Sequence, residues 1–135
     1  MTEENVDVTL RMGDALNLHE LSEEDIAPFV TPDWTGENVR TAVTDKTYHG
    51  SAGVLQWRMD LIDVFAEGVD IEGEVLADGV DFVVVRMVIV GKGASSGAPL
   101  TLRFSTVNWF EGHRIRRTVG YERVSEALKA AGLEA

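Results

Sequence analysis

An α+β fold is predicted by three observations. Segments with the 3.6-residue period of helices come first, segments with the two-residue period of strands come second, and short turns join those strands. Consecutive hairpins make an antiparallel meander, and the helices ahead of it must bury their apolar stripes on one face of that sheet. A curved sheet packed on helices leaves a cavity, the usual place for a ligand.

The stretch EENVDVTLRMGDALNLHE predicts an amphipathic helix with an acidic first turn and an apolar stripe through Val6, Leu10 and Gly13. In LSEEDIAPFV, Ser22 ahead of three acids reads as an N-cap, and Pro28 and Pro32 keep this helix short. DWTGENVRTAV is extended or turn-like, with Gly36 breaking it. In YHGSAGVLQW, Ser51 is placed to cap a helix carrying Val54, Leu55, Trp57, Leu61, Ile62, Val64 and Phe65 and ending at Gly68.

After Gly68 the period becomes two. VDIEGEVLA alternates apolar and acidic residues, so one face is wet, and Asp78-Gly79 supplies a hairpin turn. DFVVVRMVIVGKG is apolar on both faces, as a central covered strand requires. GASSGAP is a loop, LTLRFSTVNWF a second long strand, EGH a tight turn and RIRRTVGYERV a third strand. SEALKAAGL closes the chain as a helix capped by Ser125.

The 135 residues suit a single domain, 1–135, with a core that needs no staples. No cysteine is present, which removes disulfides and thiolate zinc sites. The acidic start MTEENVDVT lacks the regions of a signal peptide, and no apolar run is long enough to span a bilayer. The expectation is a cytoplasmic protein without a membrane partner. A net charge of −11 argues against nucleic acid, because HRIRR, the one basic cluster, splits its arginines between two strand faces. His19, His49 and His113 lack metal-site spacing, and GKGASSG lacks the strand–loop–helix setting of a phosphate loop. Neither a metal nor a cofactor is expected.

The chain resembles the NTF2-like superfamily, in particular its SnoaL-like, polyketide cyclase-like branch. The carriers are YHGSAGVLQW, DGVDFVVVRMVIVGKG with its trailing SSG, and above all NWFEGHRIRRTVGYERVSEALKAAGL. The resemblance implies a cone: N-terminal helices packed on a strongly bent antiparallel sheet enclosing an apolar pocket, commonly in a homodimer. The family holds cyclases, isomerases, epoxide hydrolases, dehydratases and proteins that only bind, so the site must decide function.

Matched to the family's isomerases, the base position falls at Asn38 with Glu37 beside it, the tyrosine position at Met12 and the acid position near Ser105. An amide cannot take the proton, and methionine cannot donate to an oxyanion. The arginine–aspartate pair of the epoxide hydrolases meets Arg103 and Ser105 instead, while Arg58 and Asp60 have the spacing on a helix, where i and i+2 diverge. A cyclase would need a pocket acid or base, for which His49, Glu37 and Asp60 are candidates.

Arg86 interrupts an apolar strand, so it either pairs with a carboxylate on the outer sheet face or reaches the pocket. Family matching aims the face of Arg103, Ser105, Val107 and Trp109 inward. The candidate catalytic residues are therefore His49, Arg86 and Glu37. The candidate ligand contacts are Trp34, Tyr48, Trp57, Arg86, Arg103, Ser105 and Trp109. The expected function is binding of an apolar or aromatic small molecule in the cone pocket, with a cofactor-independent cyclase or isomerase as the alternative.

Overall fold

The computed structural model describes residues 2–17, 21–39, 47–63, 65–66 and 69–133. In chain order the elements are α1 (Thr2–Leu16), α2 (Glu23–Ile26) running into a 3-10 turn, β1 (Val30–Val39), β2 (Tyr48–His49) and α3 (Gly50–Ile62). There follow β3 (Asp70–Asp78), β4 (Phe82–Lys92), β5 (Pro99–Glu111), β6 (Arg114–Tyr121) and α4 (Val124–Ala130). The α+β class and its order, helices before meander, are as the sequence predicts. No helix among the described residues is long and apolar enough to cross a membrane.

The six strands run in the order β2-β1-β6-β5-β4-β3. The meander β3 to β6 is antiparallel throughout. The sheet as a whole is mixed, because β1 joins it parallel to β6. That corrects the all-antiparallel expectation: the chain between β1 and β6 holds α3 and the meander, long enough to bring the two strands together in the same direction. Register shifts at Val75/Ala77, Trp109/Phe110 and Val30/Thr35 mark the irregularities that bend strands, and they curve the sheet around the helices.

The concave face carries Val83, Val85, Met87 and Ile89 from β4, and Phe104 and Phe110 from β5. These pack with Met12 and Leu16 of α1 and Val54 and Trp57 of α3 in the main core. Trp57 meets Phe104 edge-on, with ring centroids 6.3 Å apart. The convex face has its own small core, Val84, Val107 and Ala127, where α4 covers one end of the sheet.

Local details match expectation at the start of α2 and differ from it at the ends of α3 and the cap of α4. Ser22 does stand at the N-cap of α2, where its N–H donates to Asp25 Oδ2 at 2.9 Å. The long helix starts earlier than Ser51 would allow: His49 holds its N-cap position, and Gly50, at φ +68°, turns the chain from β2 into α3. Its end also comes early, at Ile62, and Phe65 then bridges to Gly93 beside the sheet; Gly68 lies outside the described residues. In α4 the cap position is Arg123, not Ser125, and the Glu126 carboxylate accepts the Arg123 N–H at 3.1 Å.

Candidate functional site

Helix α1 positions one wall of the site. Its buried stripe is Asn5, Thr9, Met12 and Leu16, whereas Leu10 of the predicted stripe is 47% exposed. Two neutral polar residues thus hold inner positions that an apolar stripe would claim. The helix end is fastened twice. Arg58 Nε–H donates to the Leu16 carbonyl at 2.6 Å, and Asn17 bonds to both backbone groups of Ile71 on the edge strand β3. Burial lowers the pKa of the Arg58 guanidinium from its ordinary value.

Between α1 and the concave sheet lies a cavity of about 450 Å³. Met12, Leu16, Trp57, Ile71, Val85 and Met87 give it apolar walls. Its interior polar groups are uncharged: Thr9 from α1, Thr106 and Asn108 from β5, and Thr118 from β6, all buried. The lining carboxylic residues, Asp14, Asp70 and Glu72, are exposed and border the mouth. Among the described residues no lysine, arginine or histidine lines it.

The floor is braced from behind by Trp34, which is fully buried on β1. Its Nε1–H donates to Thr118 Oγ1 at 3.1 Å, and Thr118 in turn donates to Asn108 Oδ1 at 2.8 Å. The indole reaches Thr118 by lying across Gly36, where any Cβ would overlap its six-membered ring. The glycine that reads as a strand breaker is therefore part of a continuous strand, kept bare for close approach.

Of the sequence candidates, Trp57 lines the cavity and Trp34 supports it. Tyr48 is buried away from the cavity lining, donating its phenol to Asp60 Oδ2 of α3 at 2.6 Å. His49 is exposed at the helix entry and is not among the lining residues. Arg86 lies on the convex face, paired with Glu74 directly across the β3–β4 ladder. The surface-carboxylate alternative for Arg86 is thus the geometry observed.

The inward face expected for β5 is reversed. Ser105, Val107 and Trp109 lie on the convex face with exposed Arg103, and Phe104, Thr106, Asn108 and Phe110 face the helices. A one-residue change of parity swaps every side chain between faces. Glu37 also stands apart from the cavity, 3.3 Å from Arg117, whose guanidinium sits 5.0 Å above the Trp109 ring. Beside this group, burial raises the Tyr121 pKa, opposed by Arg117.

Sequence reasoning missed Thr9, Thr106, Asn108, Thr118 and Asn17. The available signal was the series Phe104, Thr106, Asn108, Phe110, aromatic at both ends with neutral polar residues between. Residues of that kind suit a buried wall that must also offer hydrogen bonds.

No family model matches the sequence, and no curated protein is detectably similar in sequence. Solved structures are similar in fold. A protein from Jannaschia sp. CCS1 described as a SnoaL-like polyketide cyclase has a TM-score of 0.72 at 15% identity, covering 89% of this chain and 85% of its own. A protein of Catenulispora acidiphila DSM 44928 with a ketosteroid isomerase-like fold, in complex with trimethylamine, gives 0.68 at 17% identity over 94% and 93%. TerC, co-crystallised with polyporic acid, gives 0.67 at 16% over 93% and 98%. Likeness at this identity speaks for architecture: the chain has the NTF2-like cone fold of the SnoaL-like and ketosteroid isomerase-like proteins.

Proposed function

We propose that the protein binds a small, uncharged, largely apolar or aromatic molecule in the cone cavity. The observation that carries this reading is the lining: apolar walls around a few fixed, neutral hydrogen-bonding groups. The volume of about 450 Å³ lies in the range of ligand pockets. Structures of the same fold hold trimethylamine and polyporic acid, which supports a ligand role for such proteins. The cyclase or isomerase alternative ranks second, because His49, Glu37 and Arg86 all lie outside the lining.

The test is a titration with tetralin, a fused-ring hydrocarbon small enough for the cavity, followed through the methyl resonances of Met12 and Met87. Saturable shifts at both methyls, abolished by the space-filling Met87→Trp, support binding. Unmoved methyls at tetralin saturation would overturn it. A homodimer joined through the convex face belongs to the same proposal, since Phe82, Val88, Val90 and Trp109 lie half-buried there. A monomer in sedimentation velocity would set that part aside. The cytoplasmic location stays part of the proposal.

A further inference from the structure

We infer that Asn108 selects and orients the ligand by donating from its side-chain amide to a carbonyl-type oxygen on an otherwise apolar molecule. This rests on the reading of the cavity as a ligand site. The Trp34 indole N–H can only donate, so Thr118 Oγ1, 3.1 Å away, must accept. The single hydroxyl hydrogen of Thr118 then goes to the oxygen 2.8 Å away on Asn108. This chain of donors fixes which end of the Asn108 amide is which, because the reversed amide would leave the Thr118 hydroxyl hydrogen without an acceptor among the described residues. Oδ1 is held at the floor, and Nδ2 is left with its two hydrogens.

Asn108 is 7% exposed and lines the cavity, and no described residue accepts from its Nδ2. A ligand that fills the cavity shields this amide from water and leaves the donor unpaired unless it brings an oxygen to it, so the site favours ligands that do. The neighbouring hydroxyls of Thr106 and Thr9 can donate or accept and so do not choose a ligand class; Thr9 Oγ1 is itself buried without a partner. Asn108 does choose, because only an acceptor satisfies it. The carboxylic residues at the mouth and the absence of a lining cation among the described residues favour a neutral carbonyl over a carboxylate.

The experiment compares 1-tetralone with tetralin, which differ by the carbonyl, by calorimetric titration of the full chain. The readout is the ketone-to-hydrocarbon affinity ratio, which cancels effects on the apolar walls. In Asn108→Leu the ratio should fall about tenfold while tetralin still binds. Thr118→Val, which frees the amide to flip at little change of volume, should lower the ratio less, by about threefold, and serves if the first variant does not fold. Trp34 is a positioning residue, and its ring should make no contact with the probe. An unchanged ratio in both variants, with both probes bound, overturns the role of Asn108 and leaves the binding reading standing. Failure of both probes to bind the parent chain overturns the two together.

Discussion

Asn17 and Ile71 are joined in both directions. Asn17 Nδ2 donates to the Ile71 carbonyl at 2.5 Å, and the Ile71 N–H donates to Asn17 Oδ1 at 2.8 Å. The side-chain amide imitates a strand's backbone, so it occupies part of the free edge of β3 and pins the end of α1 there. Both residues line the cavity, so this pair ties α1 to β3 at the cavity wall.

Asn17→Ala should therefore remove two hydrogen bonds at once and cost about 1–3 kcal/mol in urea denaturation. The Ile71 amide should show faster hydrogen exchange, while amides in the β4–β5 ladder keep their protection relative to global stability. Equal loss of protection across the sheet would mean that the pair does not act locally.

Gly36→Ala forces the Trp34 ring away from Thr118, because the added methyl overlaps it. Overpacking of this kind costs about 1–3 kcal/mol, and Trp34 emission should change with it. Unchanged stability would show that the indole does not need to cross Gly36.

Arg86→Ala removes a pair that is half exposed on both sides, with side-chain exposures of 50% and 61%. The stability change should stay under about 1 kcal/mol, and affinity for tetralin should not move. A large loss of binding would place Arg86 in a role that its convex position does not explain.

Burial keeps the Tyr121 phenol protonated to higher pH than a free tyrosine, with Arg117 opposing and Glu37 and Glu126 assisting. A folded-state pKa raised in this way contributes stability below the ordinary value of 10.0 and loses it as pH rises through the folded value. Denaturation series from about pH 9 to 11 should show a steeper alkaline loss for the parent chain than for Tyr121→Phe. Parallel curves would remove Tyr121 from the alkaline response.

The legible parts of the sequence were those where one periodicity dominates. The acids alternating with Val69, Ile71 and Val75 announce β3, and the Gly112 turn announces the β5–β6 hairpin. The inner face of β5 was illegible for a physical reason. Residues 104–108 are all buried, because α4 covers one side and the helices the other, so burial does not alternate there. The parallel pairing of β1 with β6 is a long-range fact that no local pattern records. The polar part of the α1 wall hid for a related reason: Thr9 occupies an inner helix stripe where an apolar residue is expected, and that exception belongs to the site.

A crystal structure of the protein grown with saturating 1-tetralone locates the ligand outright. The ring system should lie between Met12 and Trp57, with its oxygen within hydrogen-bonding distance of Asn108 Nδ2. A cavity without the probe, or a probe held only on the convex face, would contradict the proposed binding.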